Sequence, residues 1–253
     1  MREYSLENEV KTNKPGKKKI VTVLAIIAGV LLLAGLLILL FWPNLKVTFL
    51  MQKLKNANVG DSFTLGTYEQ DGKTDNGTEN IKWLVLAKED DRVLAISKYA
   101  LDCVAYNSEF ESSSWETCTL RTWLNKDFYD GAFSDIEKEV IAISTISADK
   151  NPMFSTDPGA DTQDPMFLLS VNEAETYGTD RSLLQCEPTE YALRNNIDYD
   201  MESGYCKWWL RSPGLMPADA TAVGIKGYVY GQGNYVFFPF YGVRPAMWID
   251  LSK

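Results

Sequence analysis

The feature that most constrains the fold of this chain is an uninterrupted apolar run at residues 20–42. These 23 residues carry no charged side chain, and Thr22 is the one strongly polar residue among them. As a helix they would span a hydrocarbon core of about 30 Å with modest tilt, since each residue adds about 1.5 Å. A buried core helix rarely stays uncharged on all faces. The run therefore predicts a transmembrane helix over residues 20–42 that contacts the lipid bilayer.

A cleaved signal peptide is the alternative interpretation of this run. Its cleavage site would need small residues, but the run ends in Phe41, Trp42 and Pro43. The run is also long for the apolar part of a signal peptide. We therefore expect a signal anchor that stays in place, with Trp42 at the membrane interface.

Charge predicts the orientation of the anchor. Residues 1–19 carry six basic and three acidic side chains, and three of the lysines directly precede the apolar run. The positive-inside rule then places the N-terminus in the cytoplasm and the remainder of the chain outside the cell. The predicted organisation is a cytoplasmic tail at 1–19, a single transmembrane helix at 20–42, a juxtamembrane stalk at 43–57 and an extracellular domain at 58–253.

Composition excludes several classes of function. Residues 43–253 carry 19 basic and 31 acidic side chains, a net charge of −12, which disfavours binding to nucleic acid. The chain contains no histidine, so Ser-His-Asp and Cys-His catalytic arrangements and histidine metal sites are excluded. We expect a glycan or a protein as the extracellular partner, and no nucleic acid.

Local patterns predict short strands mixed with two or three helices. Branched and aromatic residues between turn signals predict strands at residues 62–68, 81–87, 92–97, 141–146 and 166–169. Apolar periodicity and a first-turn proline predict helices at residues 119–129 and 188–195. Capping-box patterns predict where short helical segments begin, after Ser134 and Ser170. This mixture predicts an α+β domain.

Two acidic loops are considered as calcium sites. Residues 70–77 lack EF-hand spacing, and a hairpin tip is favoured there. Asp157, Asp161 and Asp164 lie in a long loop and offer carboxylate ligands, although a solvated loop is the commoner case. We expect no cofactor, with calcium in this loop as the alternative.

The four cysteines all lie in the predicted extracellular domain. An even number in an exported domain permits two disulfides, and the pairing nearest in sequence is Cys103 with Cys118 and Cys186 with Cys206. Four buried thiols are the alternative, because free cysteine packs as a small hydrophobic residue. Both interpretations stay open.

Two motifs frame an aromatic C-terminal stretch. Trp-Trp-Leu-Arg-Ser-Pro-Gly occupies residues 208–214 and Gly-Val-Arg-Pro-Ala occupies residues 242–246. Together with segments at 96–103, 115–125 and 167–170, they resemble an uncharacterised domain family of Gram-positive bacterial surface proteins, domain of unknown function 6273, from about residue 59 to 251. The closing motif is also distantly similar to C-type-lectin-like domains of the formylglycine-generating (sulfatase-modifying factor) type. The resemblance implies a C-type-lectin-like α+β domain of short antiparallel strands.

The arginines and tryptophans of these motifs are predicted to hold the fold together. We expect Arg211 and Arg244 to donate hydrogen bonds to backbone carbonyls or a carboxylate, and thereby to fix the two strands. Trp208 and Trp209 are neighbours on a strand, so we expect one in the core and the other toward a binding face. The formylglycine-generating type implies oxidase chemistry at paired cysteines near the C-terminal strands. Here Cys206 precedes the Trp-Trp strand and no cysteine follows it, so that activity is not expected.

The candidate binding residues lie in a glycine-rich insert between the two motifs. Residues 227–237 alternate in short bursts around glycine, as a twisted hairpin would. Exposed Tyr and Asn side chains provide contact area and adaptable hydrogen bonding, the chemistry of recognition loops. C-type-lectin-like proteins diversified by retroelements carry their variable residues in a similar position. The candidate ligand-binding residues are Tyr228, Tyr230, Gln232, Asn234, Tyr235 and Phe237.

These observations predict a membrane-anchored cell-surface binding module. One alternative is a cell-wall-directed enzyme that uses two of Asp198, Asp200 and Glu202 as acid and base. Another is a structural subunit of a membrane complex, which a large exposed apolar patch would mark.

Overall fold

The structure, a computed structural model, describes residues 17–253. The expected cytoplasmic tail therefore lies almost entirely outside the described residues. The chain divides into a first compact unit that ends at Lys46 and a second unit, Val47–Lys253.

Helix α1 (Lys17–Lys55) contains the apolar run. It is bent between the segments Ile26–Ile38 and Phe41–Lys55. Pro43 lies just beyond the bend, and a proline inside a helix cannot donate to the carbonyl four residues earlier. In the part of the chain from residue 17 onward, no single helix is long and apolar enough to cross a membrane, whereas the two segments together are, by length and composition.

The C-terminal end of α1 belongs to the second unit. Met51 and Leu54 are buried in its core. Lys53 donates through Nζ to the carbonyl of Ser62 at 2.9 Å, and Lys88 donates to the carbonyl of Lys55. The compact unit thus begins within the segment expected to be a stalk.

Short strands and helices make up the rest of this unit. In chain order the strands are β1 (Ser62–Tyr68), β2 (Glu79–Lys88), β3 (Arg92–Ser97), β4 (Asp102–Cys103), β5 (Ile141–Ala142), β6 (Ser144–Ile146), β7 (Thr162–Asp164), β8 (Trp208–Pro213), β9 (Asp219–Val223), β10 (Val229–Tyr235), β11 (Gly242–Val243) and β12 (Ala246–Asp250). The helices are α2 (Thr119–Trp123), α3 (Tyr129–Ala132), α4 (Asp135–Lys138), α5 (Val171–Tyr177) and α6 (Glu190–Arg194), with a π-helical turn at Leu124–Phe128 and a 3-10 turn at Arg181–Leu183. The predicted α+β class is confirmed, although the short helices are more numerous than expected.

Two five-stranded sheets organise the unit. The first has the order β1-β2-β3-β12-β5, and the second has the order β10-β9-β8-β11-β4. Neighbouring strands are antiparallel except β8 and β11, which pair in parallel with Gly242 opposite Trp208. β6 and β7 form a separate antiparallel pair. The two framework motifs therefore contribute to both sheets, because β8 lies in the second sheet while β12 lies in the first.

Several local predictions are confirmed. β1 and β3 have the predicted bounds. The capping boxes at Ser134 and Ser170 open α4 and α5. The helix predicted at residues 119–129 is present and extends to Ala132, with a π-helical turn in its middle.

Two local predictions are wrong, and the start of a third element differs from its prediction. Residues 141–146 form two strands instead of one, because the chain passes from the first sheet (β5) to the separate pair (β6) at the exposed Ile143. Residues 166–169 are buried but form no strand beyond one bridge at Phe167. Instead, Arg211 donates hydrogen bonds to the carbonyls of Leu168 and Leu169. Pro188 precedes α6 instead of opening it. Thr189 is the N-cap and accepts the amide of Ala192 at 3.1 Å.

Candidate functional site

An open cavity of about 410 Å³ lies against the second sheet. Its apolar floor comes from β9 and the turn that follows, through Ala222, Val223 and Ile225. Polar and aromatic side chains line the rest: Lys207, Lys226, Tyr228, Tyr230, Asn234 and Tyr241. Cavities of about 300–1,000 Å³ with mostly apolar walls and a few polar groups are typical small-ligand sites.

The β9–β10 hairpin places three of the predicted residues in this cavity. In its register Tyr230 lies opposite Ala222 and Asn234 opposite Ala220, with a bulge between the two pairs. The bulge depends on Gly233, which has φ +75°, and a Cβ there would come 2.4 Å from the carbonyl oxygen of Ala220. Only glycine adopts this φ and avoids this contact without strain. Residues 227–237 therefore supply one strand of a hairpin whose other strand is β9.

Tyr241 joins the cavity wall to the core. Its ring stacks on the indole of Trp209 with 4.2 Å between centroids, and its hydroxyl accepts from Nδ2 of Asn234 at 2.9 Å. Both partners hold the ring in one orientation. One wall of the cavity is therefore formed before any ligand arrives.

Lys207 brings a fixed positive charge to the cavity. Its Nζ donates to the carboxylate of Asp198 at 2.6 Å and lies 6.0 Å from the centroid of the Tyr241 ring. The hydrogen bond with Asp198 raises the pKa of Lys207, so the ammonium stays charged. Lys226 is exposed at the rim. The cavity thus presents hydrogen-bond donors on an otherwise acidic domain.

Lys207 and Tyr241 were missed by the sequence reasoning, although a signal for them exists. Each directly precedes one of the two framework motifs. Because Gly242 pairs with Trp208 in parallel, the residues before them become neighbours, and the amide of Gly242 donates to the carbonyl of Lys207 at 2.8 Å. A search of the residues that flank the motifs would have found both.

A second surface feature is a cluster of aromatic rings on and after β10. We refer to it as the aromatic cluster; its members are Phe110, Tyr235, Phe237, Phe238 and Phe240. Phe110 is 59% exposed and Phe240 is 47% exposed, although each has a ring neighbour within 6.0 Å. Exposed aromatic rings in contact with one another are typical of interaction surfaces.

The six predicted binding residues therefore divide between two places. Tyr228, Tyr230 and Asn234 line the cavity. Tyr235 and Phe237 belong to the aromatic cluster, where their rings stack at 6.0 Å. Gln232 is exposed, and its carbonyl accepts the amide of Leu215 at 2.8 Å.

The prediction for the Trp-Trp pair is wrong in part. Trp208 and Trp209 are both completely buried. The indole of Trp208 donates to the carbonyl of Leu184, and that of Trp209 donates to the carbonyl of Val104, each at 3.0 Å. Strand β8 is covered on both faces, so neither ring reaches a binding face, and Trp209 approaches the cavity only through Tyr241.

The predicted structural role of the two motif arginines is confirmed. Arg211 is 3% exposed and forms a two-pronged ion pair with Glu173, and it also donates to the carbonyls of Ser147 and Leu168. Arg244 is fully buried and donates to the carbonyls of Ser97 and Leu183 at 2.8 and 2.9 Å. Hydrogen bonds of this kind join segments that are far apart in the chain.

The carboxylates proposed for an enzyme have other partners. Asp198 is paired with Lys207. Asp200 accepts the amide of Ser203 at 2.8 Å, and its hydrogen bonds with that residue lower its pKa. A general acid requires a raised pKa, so the shift at Asp200 has the opposite sign to the one that this role needs.

The aspartates considered for calcium point to different partners. Asp164 is paired with Arg121 at 2.8 Å, Asp161 accepts the amide of Ala148, and Asp157 accepts the amide of Gly159. Elsewhere Glu69, Asp71 and Glu79 have ligand atoms within 4.8 Å of one another. Their carboxylates accept amides of the β1–β2 turn, as at Gln70 and Lys73, which accounts for their proximity.

Comparison with known families identifies the domain. A family described as Domain of unknown function (DUF6273) matches residues 90–251. The chain belongs to this family. No curated protein and no solved structure matches the chain. The DUF6273 match begins after β2, later than the start near residue 59 implied by the sequence motifs, and it includes every residue that lines the cavity.

Proposed function

We propose that this chain is a single-pass, membrane-anchored binding module of the bacterial cell surface, and that its DUF6273 domain binds a glycan in the cavity against the second sheet. One observation carries the proposal. Three residues chosen from sequence for their recognition chemistry, Tyr228, Tyr230 and Asn234, line the same open cavity, next to Lys207 and Tyr241 from other segments.

The chemistry of the cavity suits a sugar better than a purely apolar ligand. Tyrosine rings cover the apolar face of a pyranose, while hydroxyl, amide and ammonium groups bond its hydroxyls. The cavity offers these polar groups around an apolar floor, and its volume of about 410 Å³ is within the small-ligand range. The order imposed by Trp209 and Asn234 on Tyr241 lowers the entropic cost of binding.

The remaining parts of the proposal rest on the sequence. The apolar run and the lysines before it support a signal anchor with the N-terminus in the cytoplasm, the domain outside and the bilayer as its second partner. The closing Gly-x-Arg-Pro-Ala motif supports a C-type-lectin-like arrangement of the strands. The net charge of −12 beyond residue 42 argues against nucleic acid as a ligand.

A protein ligand is the second candidate, and the aromatic cluster favours it. Five rings in mutual contact, with Phe110 and Phe240 well exposed, form a surface that a folded partner could cover. Protein interfaces are rich in Tyr and Phe at their centres. The cluster and the cavity share β10, so one ligand can contact both.

Arrays of bacterial glycans and of surface proteins, probed with the full-length chain, test the proposal. Wild type should capture a glycan, and the double change Tyr228→Ala with Tyr230→Ala should abolish capture while thermal unfolding shifts by no more than about 2 °C, because both rings are exposed. Tyr199→Ala is the matched control, since Tyr199 is exposed but does not line the cavity.

Three outcomes of this experiment would contradict the proposal. Unfolding of the double variant at a much lower temperature would show that the tyrosines support the fold. Unchanged glycan capture would remove the cavity as the site. Capture of proteins alone, lost on Phe110→Ala with Phe240→Ala, would make the aromatic cluster a protein interface and the glycan assignment wrong.

A further inference from the structure

The cysteines Cys186 and Cys206 lie side by side in the core. The amide of Cys206 donates to the carbonyl of Cys186 at 2.8 Å, and Sγ of Cys206 lies 3.2 Å from the same oxygen. Cys186 is 1% exposed and Cys206 is completely buried.

This backbone hydrogen bond limits how far apart the two residues can be. Standard bond lengths on either side of a 2.8 Å contact place the two Cα atoms at most about 6.7 Å apart. Disulfides join Cα atoms about 4.4–6.8 Å apart. The Cα separation of the pair therefore does not exceed the upper limit for a disulfide.

A second observation, independent of this backbone hydrogen bond, concerns Arg244. Its side chain is fully buried, its Nε and Nη1 donate to carbonyls, and its Nη2 has no hydrogen-bond partner among the described residues. A buried guanidinium without a carboxylate stabilises negative charge on neighbouring groups. The two thiols are the ionisable groups that it faces.

The guanidinium acts on both thiols in the same direction. Burial raises the pKa of each thiol, and the charge of Arg244 opposes that rise at both Cys186 and Cys206. Thiolates, not thiols, react with disulfides.

We propose that Cys186 and Cys206 form a disulfide by thiol–disulfide exchange while the chain folds, before the core closes over them. The thiolate of one cysteine attacks a disulfide-bearing oxidant of the glutathione type, forms a mixed disulfide and displaces one thiolate. The other cysteine then gives its proton to solvent, attacks the first sulfur and displaces the second thiolate. The oxidant is reduced to two thiols and the protein is oxidised by two electrons.

The other two cysteines stay reduced in this proposal. Sγ of Cys103 donates to the carbonyl of Pro239 at 3.1 Å, and burial together with Asp102 raises its pKa to about 12. Cys118 caps α2 by accepting the amide of Arg121, and burial raises its pKa to about 12. The pairing of Cys103 with Cys118 considered from the sequence is not part of the proposal. The proposal therefore predicts one disulfide, whereas the sequence left open either two disulfides or four buried thiols.

Refolding in glutathione buffers tests the pairing directly. The reduced, unfolded full-length chain is refolded at several ratios of reduced to oxidised glutathione, trapped with an alkylating agent and mapped by non-reducing mass spectrometry. We expect one bridge, Cys186–Cys206, with Cys103 and Cys118 alkylated. Alkylation of Cys186 and Cys206 at every ratio, or a bridge from either to Cys103 or Cys118, would overturn the proposal.

Single variants test the effect of the bridge on stability. Reductant should lower the melting temperature of oxidised wild type by about 6–12 °C. Cys103→Ala should keep this sensitivity and Cys206→Ala should lose it, and a wild type insensitive to reductant would also contradict the bridge.

Discussion

The ring of Tyr241 stacks on the indole of Trp209 at 4.2 Å, with 25° between the ring planes. Trp209 is completely buried, whereas Tyr241 lines the cavity. The contact therefore joins the core of the second sheet to the candidate site, and the hydrogen bond from Asn234 fixes the outer edge of the same ring. Changes at Tyr241 should separate the contribution of this hydrogen bond to stability from that of the ring stack.

Two substitutions at Tyr241 should have different effects. Tyr241→Phe keeps the stack and loses one partly exposed hydrogen bond, so the free energy of unfolding should fall by about 0.5–1.5 kcal/mol. Tyr241→Ala removes the ring from Trp209 and should cost about 3–5 kcal/mol. Urea unfolding monitored by tryptophan fluorescence measures both, and equal losses in the two variants would show that the stack contributes little.

Gly233 and Gly204 provide a matched test of the bulge in β10. Both have φ near +75°, but a Cβ on Gly233 would meet the carbonyl of Ala220 at 2.4 Å, whereas one on Gly204 would meet nothing within 4 Å. Gly204→Ala should cost about 1–2 kcal/mol from backbone strain alone. Gly233→Ala adds a backbone clash and should cost clearly more. Chemical denaturation of the two variants compares them, and similar costs would mean that the hairpin shifts to relieve the contact.

The buried pair formed by Arg211 and Glu173 should contribute more to stability than an exposed ion pair. The Arg211 side chain is 3% exposed, so Glu173→Gln leaves a buried cation, with Asp149 at 3.6 Å as its remaining carboxylate neighbour. We expect a loss of about 3 kcal/mol, the low end for a broken buried pair. Asp130→Asn is the control, because the Asp130–Lys138 pair is largely exposed on the carboxylate side and should contribute under about 1 kcal/mol. Comparable losses in the two variants would contradict this ranking.

Stability should fall at alkaline pH because of Tyr68. Its hydroxyl donates to Asp102 at 2.6 Å, and burial followed by the charge of Asp102 raises its pKa well above the ordinary value of 10.0. Above pH 10 the unfolded chain releases this proton while the folded domain retains it. The free energy of unfolding therefore falls as pH rises, by about 1.4 kcal/mol per pH unit for this group.

The variant Tyr68→Phe tests that slope. It should flatten the pH dependence by about the same 1.4 kcal/mol per unit, measured by urea unfolding between pH 9 and 11.5. Tyr106→Phe should also flatten the pH dependence of the free energy of unfolding, because burial raises the pKa of Tyr106 as well. Identical slopes in wild type and Tyr68→Phe would show that Tyr68 ionises in the folded state at its ordinary pKa.

The sequence by itself determined the elements whose cause is local. β1 and β3 follow from short runs of branched and aromatic residues, and the capping boxes at Ser134 and Ser170 need only contacts three residues apart. The glycine-rich insert likewise predicted outward tyrosines, because alternation along a strand needs no partner to be recognised. Family membership also followed from contiguous motifs.

Only the tertiary structure decided the features that depend on contacts between distant segments. The parallel pairing of β11 with β8 brings Tyr241 beside Lys207, and these two residues complete a cavity that the hairpin only begins. Cover on both faces of β8 buries both Trp208 and Trp209, although alternation predicted one outward ring. The sequence left the pairing of the cysteines open, and the structure brings Cys186 and Cys206 together across 20 residues of chain. These contacts are selected by the packing free energy of the whole domain and not by the propensity of any one segment.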